Sequence, residues 1–160
     1  MTVRRVQPDD VPTVLGLVRE LAAYEKAEHE ALMTAEQLHA ALFGPAPALF
    51  GHVALTPDGE VAGFALWFLS FSTWRGTHGI YLEDLFVSPR HRGTGLGREL
   101  LRTLAQECVD RGFSRLEWSV LDWNAPSIEF YRAAGAVPMD EWTVFRLTGD
   151  ALTRFAAARR

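Results

Sequence analysis

The segment Arg90-His91-Arg92-Gly93-Thr94-Gly95-Leu96-Gly97 constrains this chain more than any other. It lies between an apolar run of strand character, residues 80–87, and a run in which Leu96, Leu100, Leu101, Leu104 and Cys108 recur at helical spacing. A strand, a glycine-rich turn and a helix in that order expose backbone N–H groups and the positive end of a helix dipole, which together receive an anion. The flanking Arg90, Arg92 and Arg98 suit a phosphorylated ligand. The dinucleotide fingerprint G-x-G-x-x-G fails at its last glycine, where Arg98 stands, and no Gly-Lys-Ser/Thr follows, so a nucleotide-hydrolase loop is excluded. The residues of the turn alone leave open an ordinary entry into a helix.

The rest of the chain supplies alternating strands and helices. A short alternating segment at residues 2–6 precedes a helix marked by Val11, Val14, Leu15, Val18, Leu21 and Ala22, with Asp9 and Asp10 in its acidic first turn. Thr34 and Gln37 form a capping box for a second helix that stops at Gly44-Pro45. Residues 49–55 and 61–71 read as a hairpin through Thr56-Pro57-Asp58-Gly59, the second run as a central strand. After Gly112 come a strand with Leu116, Trp118 and Val120, a helix capped by Asn124 and closed by Gly135, and a strand at residues 143–147. With no repeat or linker, the pattern predicts one α/β domain over residues 1–160 around a mixed sheet.

Composition narrows the partners. Sixteen Lys and Arg against twenty Asp and Glu give a net charge of -4, without the basic excess of a nucleic-acid binder and better suited to an amine. Cys108 is the only cysteine, which excludes a disulfide framework and points to the reducing cytoplasm. The five histidines show no metal-ligand spacing, so no metal is expected. The N-terminus lacks a secretory pattern, and the longest apolar run, residues 61–69, is too short to span a bilayer, so no membrane partner is expected.

Arg90-x-x-Gly93-x-Gly95 resembles the Q/R-x-x-G-x-G/A acetyl-coenzyme A motif of the GCN5-related N-acetyltransferases, GNAT. The block Asn124-x-Pro126-Ser127-x-x-Phe130-Tyr131-x-x-x-Gly135-Ala136 is similar to a second segment of that family. Tyr81-Leu82-Glu83-Asp84-Leu85-Phe86-Val87 and Arg19-Glu20-Leu21-Ala22-x-Tyr24-Glu25 resemble its diamine acetyltransferase branch, which includes spermidine/spermine and thialysine acetyltransferases. The resemblance implies a single-domain fold with a central mixed, twisted sheet flanked by helices, commonly a homodimer. It implies acetyl-coenzyme A as cosubstrate, held by Leu85, Phe86, Val87, Arg90, Arg92, Gly93, Thr94, Gly95, Leu96, Gly97, Arg98, Asn124, Ser127 and Tyr131.

Acetyl transfer to an amine requires a proton acceptor, because a free alkylamine of pKa near 10.4 is almost wholly protonated at neutral pH. The resemblance favours Glu83, directly or through water; strict strand alternation puts Tyr81, Glu83 and Leu85 on one face and Leu82, Asp84 and Phe86 on the other. A phenol is protonated at neutral pH and can donate to a thiolate, the role that the resemblance gives Tyr131. Tyr131 lies two helical turns after Asn124, so both can face one groove. Backbone N–H groups near Phe86 and Val87 are the expected carbonyl-polarising donors.

For the amine, the resemblance implies contacts from Glu25, Ser72, Thr73, Trp74, Glu83 and Asp84. Ser72-Thr73 stands where polyamine-specific members carry Asp-Pro, which shifts the expected substrate toward a small amine bearing its own carboxylate, with Arg75 nearby. The rival functions are a protein or peptide N-acetyltransferase, a non-catalytic acyl-coenzyme A binding module and, more distantly, a nicotinamide oxidoreductase.

Overall fold

In the computed structural model, which describes residues 2–158, five strands form one sheet: β1 (Thr2–Arg5), β2 (Phe50–Leu55), β3 (Val61–Ser72), β4 (Thr77–Val87) and β5 (Leu116–Glu117), neighbours in that order. The first four pair antiparallel, and β4 pairs parallel with β5, so the sheet is mixed. The unit ending at Ser119 also holds α1 (Val11–Tyr24), α2 (Ala35–Phe43) and α3 (Leu96–Asp110). A second unit starts at Val120 and contains α4 (Ala125–Ala133) and α5 (Gly149–Ala157).

The central strand β3 buries a continuous run from Ala62 to Trp67, as a strand paired on both edges and covered on both faces must. Val14 and Leu17 of α1 and Leu38 and Leu42 of α2 pack with Val53, Phe64, Leu66 and Phe86 of the sheet in one core. The α3 helix packs against β2, β3 and β4, and its buried side chains are Leu96, Leu100, Leu101, Leu104 and Cys108, the stripe read from sequence. A bidentate pair from Arg4 to Asp10, at 2.6 and 2.9 Å, ties β1 to the start of α1, and the guanidinium holds the Asp10 carboxyl below the usual carboxylate range. The Thr34–Gln37 box that starts α2 is formed on both sides, at 3.2 and 3.0 Å.

Several boundaries differ from those predicted. The β4 strand begins at Thr77, three residues before the apolar run, because Thr77, His78 and Gly79 pair with Ser72, Phe71 and Ser70 and so extend the hairpin. The strand expected around Leu116, Trp118 and Val120 pairs only at Leu116 and Glu117. Among the described residues no strand forms at 143–147, and α5 forms where the sequence suggested no helix.

Buried His52 accepts a hydrogen bond at Nδ1 from Trp67 Nε1–H at 3.2 Å, and the two rings stack. Burial, with the nearby Arg5 charge, holds the His52 pKa down to about 4. The folded pKa lies below the unfolded value, so the contribution is full above about pH 6.5 and falls away as pH drops through 4, by about 3 kcal/mol in all. Urea unfolding across this window is expected to show a steeper acid loss in the wild type than in His52→Gln, which keeps an acceptor for Trp67 but does not titrate. Equal pH slopes in the two proteins would refute the assignment.

Candidate active site

The site is built around an irregularity in β4. Leu66 pairs with Asp84 and Trp67 with Leu82, so Glu83 is an extra residue with no partner on β3, a β-bulge. The bulge overturns the strict alternation expected of this strand. Leu82 and Leu85 now lie opposite Trp67 and Ala65 on one face, while Asp84 and Phe86 lie opposite Leu66 and Phe64 on the other. Glu83 is exposed, and Asp84 sits on the face that carries the α1 core.

Asp84 lies within electrostatic reach of two other carboxylates, Glu83 and Glu25. Burial, followed by the charges of Glu83 and Glu25, raises the Asp84 pKa to about 6. Glu25 is the C-cap residue of α1, and burial pushes its own carboxyl up. The sequence marks Asp84 only as a substrate contact, since nothing in an alternating pattern announces an extra residue; the signal available was two adjacent acids within an apolar strand. Among the described residues no group of three or more His, Cys, Asp and Glu side chains is arranged to hold a metal ion.

From the carboxylates an open edge leads to the glycine-rich turn. Pairing between β4 and β5 ends at Tyr81 and Glu117, so no strand of the described residues covers β4 beyond that point. Ser88 N–H bonds Ala62 O at 2.9 Å, and the two-residue alternation of an antiparallel ladder then aims Phe86 and Asp84 backbone groups at β3 and those of Leu85 and Val87 at the open edge. The polarising donors expected near Phe86 and Val87 are therefore best sought at Leu85 and Val87, the Phe86 side chain being buried in the core. Glu83 stands four residues before Val87, roughly 13 Å along the strand.

The turn itself is shaped for an anion. Gly93 and Gly95 have φ of 75° and 87°, a conformation that L side chains rarely adopt, and nothing lies within 4 Å of where a Gly93 Cβ would project. Gly95 O accepts from Glu99 N–H at 3.0 Å, which leaves the first N–H groups of α3, from Leu96, Gly97 and Arg98, without intrahelical acceptors. Leu96 contributes only its backbone here, because its side chain is buried in the α3 stripe. Thr94 Oγ1 donates to His91 O at 2.6 Å and holds the turn closed. Arg92 donates from Nε to Val87 O at 3.1 Å and stacks over the Tyr24 and Phe86 rings, while Arg90 lies 3.8 Å from Glu60. The first N–H groups of α3, beside a glycine turn with no side chain over it, suit an anion such as the pyrophosphate of coenzyme A.

The structure does not bring Ser72, Thr73 and Trp74 to the carboxylates. They form the tip of the β3–β4 hairpin, and Thr77 is six residues, roughly 20 Å of strand, from Glu83. Ser72 is buried, and its hydroxyl accepts from Arg75 N–H at 3.2 Å, so it shapes the turn; Trp74 is exposed.

Asn124 and Tyr131 belong to the second unit. Buried Asn124 caps α4, accepting from Ser127 N–H at 3.4 Å, and Tyr131 stands on the same helix with its ring 5.3 Å from that of Phe130.

A mixed sheet whose fourth strand is bulged, open along one edge and followed by a glycine-rich turn into a helix frames this site. Residues 16–136 match the profile of the acetyltransferase (GNAT) family, and the chain belongs to that family of N-acetyltransferases, which use acetyl-coenzyme A. It is 38% identical to the thialysine N-epsilon-acetyltransferase of Bos taurus, with 96% of each chain covered. It is 30% identical to the L-ornithine N5-acetyltransferase of Arabidopsis thaliana, over 94% of this chain and 85% of that one. Among solved structures, an integron cassette protein from the mobile metagenome of V. cholerae superposes with a TM-score of 0.81 at 26% identity, covering 98% of both chains.

Proposed function

We propose that this protein transfers the acetyl group of acetyl-coenzyme A directly, in a ternary complex, to the primary amine of a small molecule: a thialysine-like amino acid or a diamine or polyamine. The observation that carries this reading is the open β4 edge, which joins an anion-binding turn to a cluster of three carboxylates about one pantetheine arm away. The relatives that act on thialysine and ornithine favour an amino acid with a terminal amine. The single N-acetyltransferase domain spans residues 1–160, consistent with a family match that runs through both units. The enzyme acts in the cytoplasm as a homodimer and needs no metal.

Acetyl-coenzyme A supplies the activated acetyl group as a thioester. Gly93, Thr94, Gly95, Gly97, Arg90, Arg92 and Arg98, with the Leu96 backbone, hold its phosphates, and Leu85 and Val87 orient its arm through their N–H groups. Glu25, Glu83 and Asp84 draw in the ammonium. Glu83, expected from the sequence as the base, positions the amine on its bulge, and Asp84, whose pKa burial raises to about 6, accepts the proton. Tyr131 supplies a proton to the departing sulfur, and Asn124 and Ser127 contact the arm.

Thiol release with putrescine, spermidine, thialysine, lysine and a lysine-containing peptide tests the reading. Turnover is expected on a free amine, highest with thialysine. Acetylation of the peptide alone would favour a protein acetyltransferase, and coenzyme A binding without turnover on any acceptor would favour a binding module.

A further inference from the structure

We infer that the stacked rings of Tyr81 and Phe68 form a wall of the amine site beside Asp84 and receive the ammonium and the aliphatic stem of the acceptor. The inference deepens the proposed transfer to a small amine and rests on it. The bulge at Glu83 is what brings these groups together. Tyr81 and Asp84 are three residues apart, so in an unbroken strand they would face opposite sides of the sheet. With Glu83 as the extra residue, Tyr81 pairs with Phe68 and Asp84 with Leu66, and those partners stand two residues apart on β3. Tyr81 and Asp84 therefore share a face, roughly 7 Å apart along the ladder.

Two observations give the rings this role instead of a place in the core. Leu66, opposite Asp84, is buried in the core that α1 covers, whereas Phe68 and Tyr81 are half-buried and stand outside it. Their centroids lie 5.1 Å apart, and the Tyr81 hydroxyl shares a hydrogen bond with Ser119 Oγ at 2.8 Å, so the Tyr81 ring is held at its face and at its tip. Ser119 comes two residues after Glu117, the parallel partner of Tyr81, and the bond draws the phenol along β4 toward Glu83. Aromatic surface and a carboxylate on one face answer the two parts of an alkylammonium. The ring quadrupole attracts the cation, and the ring carbons cover its stem. Val87, where the coenzyme turn begins, is six residues or roughly 20 Å of strand away, so loss of the ring spares the coenzyme.

Steady-state kinetics with thialysine and acetyl-coenzyme A on the wild type, Tyr81→Phe and Tyr81→Leu test the assignment. Leucine keeps an apolar side chain without an aromatic face, and Phe68→Leu replaces it should circular dichroism show that Tyr81→Leu is unfolded. The leucine variant is expected to raise KM for thialysine about tenfold and to leave KM for acetyl-coenzyme A within about twofold. Phenylalanine is expected to recover most of that loss. An unchanged thialysine KM in the folded leucine variant would overturn the wall, as would a parallel rise in both KM values or a phenylalanine variant as impaired as the leucine one. Absence of wild-type turnover on every free amine would overturn the reading beneath it, and the wall with it.

Discussion

Replacing Asp84 by Asn is expected to lower kcat/KM at neutral pH by about two orders of magnitude while making the protein harder to unfold. The two effects share one origin. Burial and the charges of Glu83 and Glu25 raise the Asp84 pKa to about 6, so the folded state holds this proton more tightly than the unfolded chain, whose value is near 3.8. The stabilising contribution is fully present below 3.8 and is lost as pH rises through 6, leaving the wild type up to about 3 kcal/mol worse off at neutral pH. Asn carries no such ionisation, so the stability difference in urea unfolding should disappear in acid. The same strain makes Asp84 a better proton acceptor than an ordinary carboxylate while leaving it largely ionised at neutral pH. The wild-type kcat/KM should rise through an acid limb near pH 6 that Asp84→Asn abolishes. Glu83→Gln should move that limb to lower pH, since it removes one of the charges that raise Asp84. If Glu83→Gln abolishes the limb and Asp84→Asn leaves it in place, the proton acceptor is Glu83.

Local physics made much of this architecture legible and left its decisive geometry hidden. The α3 stripe, the α2 capping box and the glycine-rich turn are specified by residues within a few positions of one another, and each is found where its spacing placed it. The bulge at Glu83 depends on how β3 and β4 settle into register across the hairpin, and no residue beside Glu83 encodes that. The short reach of β5 is equally non-local: Leu116, Trp118 and Val120 alternate well enough for a longer strand, but pairing stops at Tyr81–Glu117. Gly79 shows how close the two strands run at that junction, because a Cβ there would stand 2.8 Å from Arg115 O. Residues 143–147 have strand character without a strand partner among the described residues, which is the same limit of local reading in a different place.

Tyr131→Phe is expected to reduce kcat about a hundredfold and to leave coenzyme A affinity within about twofold, a loss of transition-state stabilisation of about 2.7 kcal/mol. The substitution removes one hydroxyl and keeps the ring that meets Phe130 at 5.3 Å, so α4 and its Asn124 cap should persist. A proton donor matters most when the leaving sulfur carries charge, and binding of the ground-state thioester involves no such charge; the loss should therefore fall on kcat and spare KM for acetyl-coenzyme A. Tyr131→Ala would confound this reading by deleting the ring and with it the packing of the helix. Single-turnover thiol release with bound coenzyme and saturating amine isolates the chemical step from product release. A Phe variant within threefold of wild type in that measurement would mean that the thiolate departs without help from Tyr131, and its role would reduce to holding α4.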